Sequence, residues 1–505
     1  EKGFVVNHFN KWLQILFYLI TQNFFIFVIK WFVMGILKGD KELEHAATLK
    51  QKALQINLNE HIYGTFAEIG AGQETVRHFF RAGGASKTIA KAMSAYDKHF
   101  SDSIYGEVPD KRYVSESRLR KMLSYEMALI EDRLDRKNYP DKLFFSYANT
   151  VTTIDFAKQF KGHGWVGIKF QVDPEEDYSE IILHIRFKQT NSMLQQETLG
   201  MLGVNLIYGA FYLYDRPKDL LKSFYDNIES DTIEIDMVNF TGTRFADVDN
   251  RLMSLFLVRN GMTNAVMFDP TGTNLHPANV LYKKNILAFR GSFRPVTKVA
   301  LDIFEQSKKL FFSEKRVDEK NTQTIFEMTL TNLISEGGKI DERDFLDRAE
   351  LLCSLGQTVM ITNFQEYYKL IDYFSEFTTE RLGLAMGITN LIQIFDEKYY
   401  RNLSGGILEA FGKLFYKDLK IYLYPSKDQE TGELITSKNV IVHPRMKELY
   451  KYFKYNNRLV DIEDYNPEIL EIYSRTVYKM IAQDKIGWET YLPEGVADII
   501  KKKHL

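Results

Sequence analysis

The chain has 505 residues, 45% of them hydrophobic and 26% charged, with a formal net charge of −2. That composition is ordinary for a folded protein and far from the disordered regime, and the balanced charge gives no field that would favour nucleic acid as a partner. A single cysteine, Cys353, excludes an internal disulfide or a multi-cysteine zinc site and reads as a buried helical thiol.

Length sets a prior of about three domains. Residues 1–50 form an apolar leader, 51–280 an α+β region, 281–460 a Rossmann-like α/β domain and 461–505 a helical extension. The stretch from Trp12 to Leu37 is long enough for a bilayer, which takes ~20 residues per crossing. Gln14, Thr21, Gln22, Asn23 and Lys30 would each be costly in hydrocarbon, and no small-residue cleavage site marks a signal peptide. A non-native or peripheral leader ahead of Met34 is expected, with a membrane anchor as the alternative. Membrane contact is expected only if residues 12–37 are native and inserted, and the rest is expected to be cytoplasmic.

From Leu54 to Asn59 the sequence is short and alternating, and a strand-like segment then runs from Tyr63 into Glu68-Ile-Gly-Ala-Gly72 and a helix at Val76–Phe80. The glycines superficially resemble a dinucleotide-binding loop, but Val76 stands where the third glycine belongs, so a tight turn capping a helix is expected. Gly83–Thr88 lacks the Gly-Lys of a phosphate-binding loop. Leu119, Met122, Leu123, Met127 and Ile130 recur at helical spacing and predict a core helix over 115–135. Apolar runs at 143–147, 165–171 and 180–187 predict antiparallel strands. His163 and His184 lack the sequence spacing of metal ligands, so turn and strand-face roles are expected and no metal site is predicted. A further strand at 231–240 carries Glu234 and Asp236 on one face, expected to be solvated, with a catalytic carboxylate pair as the minority reading.

The C-terminal half alternates strand and helix: strands at 324–330 and 357–362, helices at 341–355 and 366–377. Alternation of this kind predicts parallel βαβ units with ligands at the carboxyl ends of the strands. Thr-Asn pairs at 263–264, 331–332, 362–363 and 389–390 are expected to cap the following helices. The Tyr- and Lys-rich 450–455 is expected to be a solvated helix.

The strongest single feature is Ile286–Phe289, an apolar strand, followed by Gly291-Ser-Phe-Arg-Pro-Val-Thr297 and a helix whose apolar face carries Ala300, Ile303, Phe304, Ser307, Leu310 and Phe311. A strand, tight turn and helix N-terminus together aim amide N–H groups at one spot, suited to phosphate. Residues 285–460 resemble nicotinamide/nicotinate mononucleotide adenylyltransferases, on Gly291, Ser292, Phe293, Pro295 and Thr297. The resemblance implies binding of ATP with Mg2+ by Gly291, Ser292, Phe293, Arg294, Pro295 and Thr297, and adenylyl transfer to a mononucleotide. Two positions depart from the pattern: the family histidine is Ala300, and the loop Asn/Asp is Arg294, leaving Arg294 and Lys298 as candidate catalytic cations. A nucleotide or other phosphorylated small molecule is thus the expected partner.

The whole chain, through Tyr63–Glu74, Val248–Leu255 and Arg290–Thr297, also resembles a family of large uncharacterised bacterial proteins whose members carry inconsistent labels, the adenylyltransferase name and TonB-dependent receptor among them. The helical patterns deny the many alternating strands that such a receptor barrel requires. Two alternatives stand. Asp269 in Val266–Leu275 resembles the nucleophile of haloacid-dehalogenase-like phosphohydrolases, with Thr362 as their second motif and Asp396-Glu397 as the candidate metal acids. The other is a non-enzymatic nucleotide-binding or scaffold protein.

Overall fold

Residues 47–158, 161–334, 340–415, 419–428 and 430–503 are described by a computed structural model. The leader at 12–37 lies outside them, and among the described residues no helix is long and apolar enough to cross a membrane. The unit Leu49–Leu505 contains two large sheets, and the fold is mixed α/β as the alternation predicts.

The first sheet comprises β1 (Ile62–Gly70), β2 (Ile89–Ala95), β3 (Leu143–Thr152), β4 (His163–Phe170), β5 (Ser179–Phe187) and β6 (Ile233–Gly242), in the order β2-β1-β3-β4-β5-β6. β2, β1 and β3 are parallel, whereas β3 to β6 are antiparallel, so the α+β character arises within one sheet. Alternate side chains feed two cores. Phe66, Val166 and Leu183 pack with Leu202 and Leu206 of the helix Ser192–Tyr212. On the other face Ala67, Trp165 and Ile182 pack with Leu119, Met122 and Leu123 of Glu116–Arg133. That helix begins one residue after its Ser115 cap, whose hydroxyl accepts from the Arg118 N–H.

The second sheet comprises β7 (Ala265–Phe268), β8 (Asn274–Leu275), β9 (Asn285–Arg290), β10 (Thr322–Thr329), β11 (Val359–Thr362), β12 (Leu382–Gly387) and β13 (Lys420–Tyr424). A small hairpin, β14 (Ser426–Lys427) and β15 (Leu434–Ile435), precedes its last member, β16 (Leu459–Asp461). The order is β16-β13-β12-β9-β10-β11-β7-β8, parallel from β16 to β11. Counted from β9, the parallel strands run 3-2-1-4-5-6, the doubly wound Rossmann order. Helices cover both faces: Ile286 and Ala288 pack into one core, Leu287 and Phe289 into the other, as a strand buried on both sides requires.

Four local expectations are corrected. Leu54–Leu58, in the segment that reads as short and alternating, closes the helix Leu49–Leu58, and Asn59 lies just beyond it. Glu234 and Asp236 are not on a solvated face, since both are buried. The helix Lys447–Tyr455 is only half solvated, with Tyr450 and Phe453 in the core. None of the four Thr-Asn threonines caps a helix: Thr331 and Thr389 lie inside short helices, while Thr263 and Thr362 donate to the buried carboxylates of Glu234 (2.7 Å) and Glu327 (2.5 Å).

Candidate functional site

The loop that carries the adenylyltransferase resemblance sits after β9, at the point where the strand order reverses between β9 and β12. Phe293 turns inward and packs edge-on against Phe289 (ring centroids 5.4 Å apart), while Thr297 caps the helix Lys298–Phe312 by accepting from the Ala300 N–H. The loop's own polar groups are largely used. Gly291 N–H donates to the Glu327 carbonyl at 3.1 Å, and the Ser292 carbonyl accepts from buried Arg348 at 3.0 Å. Arg294 pairs with Asp344 at 3.3 Å and donates to Tyr478 at 2.9 Å.

The predicted residues therefore divide. Phe293, Arg294 and Pro295 line a cavity of about 290 Å3, together with Asp341, Asp344 and Asp347; Gly291, Ser292, Thr297 and Lys298 do not line it. The carboxylates there are already engaged: Asp341 caps its helix, Asp344 pairs with Arg294 and Arg348, and Asp347 lies 3.9 Å from Lys503. They do not make a fitting Mg2+ site beside the loop.

The phosphohydrolase constellation does not assemble. β7 runs antiparallel to β11, with Phe268 opposite Val359 and Ala265 opposite Thr362, so Asp269 and Thr362 sit at opposite ends of the pair. Asp269 instead accepts from the Thr271 and Thr273 N–H groups in its own turn (2.8 and 2.9 Å), the ordinary hairpin role. Asp396 caps a short 3-10 turn.

A larger cavity, about 1200 Å3, opens over the first sheet. Its floor is the carboxyl ends of β1 and β3 and the start of β4, where Gly70, Thr150, Val151, His163 and Trp165 line it. Glycines are required here: Gly70 has φ +74°, and a Cβ on Gly72 would stand 1.9 Å from the Asn149 Oδ1. Beneath the turn, Glu68 of β1 accepts from the Thr75 N–H at 3.1 Å at the start of the helix Thr75–Ala82, whose N-cap residue Glu74 makes no side-chain capping bond, and burial pushes the Glu68 carboxyl up to about 8. Basic residues Lys98, Lys111, Arg112 and Arg120 and the rings of Tyr96, Tyr113 and Tyr282 complete the wall. The acids of this rim are taken up locally: Asp97 caps the helix Lys98–Tyr105, Asp110 accepts from Ser117 (2.9 Å) and Glu116 pairs with Arg120 (2.8 Å). Arg112 donates to Asn279, which joins Tyr282 and His276 on the far side of the cavity.

A buried polar cluster adjoins the cavity wall. His184 on β5 lies opposite Trp165 on β4. A β-bulge on β6 pairs Met237 with His184 and Ile235 with Ile185, leaving Asp236 as the extra residue, and its carboxylate takes His184 Nδ1 at 2.5 Å. His276, at the residue after β8, packs against His184 with the rings tilted at 51° and their centroids 3.8 Å apart. His163 Nδ1 faces His184 Nε2 at 3.2 Å. Burial drives the His184 imidazole down to about 3, and it lowers His163 as well, so both are neutral at physiological pH. Burial opposes ionisation of Asp236, but the neighbouring imidazoles outweigh it and hold the carboxyl well below the usual carboxylate range. Sequence spacing hid this cluster; the alternation that put Asp236 within a strand was the one available sign.

No family model matches the chain, and no curated protein matches it. Several solved structures are similar over part of it, competence-damage proteins among them. A CinA-superfamily protein from Enterobacter cloacae is 12% identical, covering 34% of this chain and 98% of its own, with a TM-score of 0.24. A competence or damage-inducible protein from Enterobacter asburiae is 13% identical over 32% of this chain and 98% of its own, at 0.23. The protein CihA from Agrobacterium tumefaciens is 14% identical over 27% and 79%, at 0.20. The likeness is partial and of low identity, and no activity is transferred from it to this chain.

Proposed function

We propose that this chain binds a phosphorylated small molecule with an aromatic ring, of the nucleotide class, in the cavity over β1–β3. The observation that carries this reading is the wall itself: four basic side chains and three tyrosine rings around about 1200 Å3 at the carboxyl ends of parallel strands. Lys98, Lys111 and Arg112 would address phosphate, Arg120 being held by Glu116 and Glu180, and the rings would stack on a base. Nucleotide handling is also what the resemblance of residues 285–460 implies, and the Rossmann order of the second sheet favours a second reading, with the nucleotide at Gly291–Lys298. In that reading Arg294 and Lys298 supply charge during adenylyl transfer from ATP, in place of the histidine that Ala300 lacks. Mg2+ enters with ATP from the resemblance alone.

Thermal unfolding of the full chain with a panel of ATP, nicotinamide mononucleotide, nicotinate mononucleotide and NAD, with and without Mg2+, tests both readings. The expected result is stabilisation by at least one of them, lost in Arg112→Ala and kept in Arg294→Ala; a ligand at 100 times its Kd raises stability by about 2.7 kcal/mol. The opposite pattern moves the site to the second sheet. No shift with any nucleotide overturns both readings. Pyrophosphate release in the same mixtures separates transfer from binding.

A further inference from the structure

We infer that His184, Asp236 and His276 form a binding site for one divalent transition-metal ion of the zinc type, with His163 beside it on the cavity side. One donor atom from each of the three lies within 4.8 Å of the others. All three side chains are almost fully buried, at 2%, 2% and 6% exposure. Imidazole and carboxylate together suit zinc and its neighbours, whereas Ca2+ and Mg2+ take oxygen donors.

His276 gives the independent sign. Both of its ring nitrogens are buried and find no hydrogen-bond partner among the described residues, although an imidazole always offers a lone pair, an N–H or both. Its Nε2 stands 3.6 Å from the Asp236 Oδ2, outside hydrogen-bond reach. Two donors each ~2.1 Å from one tetrahedral ion are ~3.4 Å apart, close to that spacing. The 3.2 Å between His184 Nε2 and His163 Nδ1 fits the same measure. Asp236, His184 and His163 already form a chain of contacts at 2.5 and 3.2 Å, and His276 stands beside it with its Nε2 3.6 Å from the same Asp236 carboxylate. Because His163 and His276 both line the large cavity, the ion's remaining position faces that space. The inference requires only the ion and stands apart from the nucleotide reading.

The test uses the full chain, stripped with a chelator, dialysed and titrated with Zn2+ and with Co2+ in the absence of nucleotide. One equivalent of zinc retained by elemental analysis, and a visible Co2+ absorption of low-coordinate type that zinc abolishes, are expected. His276→Gln and Asp236→Asn, each shown to be folded by circular dichroism, should weaken the metal about tenfold or more, while the exposed His443→Gln should bind as the parent chain does. The inference is overturned if the folded parent chain binds neither ion, or if folded His276→Gln binds as tightly as the parent. Since no nucleotide is present, failure here leaves the outcome of the nucleotide panel untouched.

Discussion

Two buried carboxylates show how a single side chain records its surroundings. Glu68 sits under the glycine turn at the end of β1, and burial raises its carboxyl from 4.5 to about 8. A carboxyl raised in the folded state binds its proton more tightly there, so its contribution is complete below pH ~4.5 and is lost as pH climbs towards ~8, with a slope approaching about 1.4 kcal/mol per pH unit. Urea unfolding of Glu68→Gln across that window should show a flatter pH profile than the parent chain; parallel profiles would refute the assignment. Glu327 meets burial differently, by pairing. Its carboxylate takes Arg290 Nε and Nη2 at 2.5 and 3.0 Å and the Thr362 hydroxyl at 2.5 Å, at the carboxyl ends of β9, β10 and β11. Glu327→Gln should destabilise by about 3–5 kcal/mol because a guanidinium is left buried, whereas Arg290→Met with Glu327→Leu should cost far less. Equal losses in the single and double variants would count against that account.

At the scale of the element, Thr297 separates structure from function in the loop after β9. It accepts from the Ala300 N–H and so starts the helix Lys298–Phe312. Thr297→Ala should cost about 1 kcal/mol in denaturant midpoint, and Thr297→Ser should recover most of it; a loss of nucleotide binding with stability unchanged would instead make Thr297 a ligand contact. This loop, its helix and the parallel alternation after it were legible in the sequence because each is a local pattern. The five apolar residues predicted for the helix over 115–135 are likewise all buried in Glu116–Arg133. Leu49–Leu58 was not legible, since Lys52 and Asn57 occupy buried positions; Lys52 reaches Asn205 and Asp226 and so breaks the apolar period. Nor could spacing reveal His184, Asp236 and His276. Their meeting depends on the antiparallel register of β5 and β6, one bulged residue and the return of the chain after β8.

Across the whole molecule, Arg186 of the first sheet binds Glu376, which follows the helix Tyr367–Ser375 of the second, and Lys161 approaches the same carboxylate at 3.3 Å. Burial alone would raise the Glu376 carboxyl, but the Arg186 hydrogen bond and charge outweigh it and hold it low. A lowered carboxyl stabilises above its unfolded pKa, and that contribution fades as pH falls through the folded value. Glu376→Gln should therefore melt below the parent chain at pH 7, with the gap closing in acid; a gap independent of pH would mean that the charge is not what matters. The large cavity has a similar reach. Its floor is laid down by β1, β3 and β4, but His276, Asn279 and Tyr282 arrive more than a hundred residues after His163. During synthesis the N-terminal sheet is available first, so a growing chain passes through an interval with an open chamber lacking one wall. On the proposed reading, a ligand that needs that wall is held only once synthesis has passed Tyr282, little more than halfway along the 505 residues.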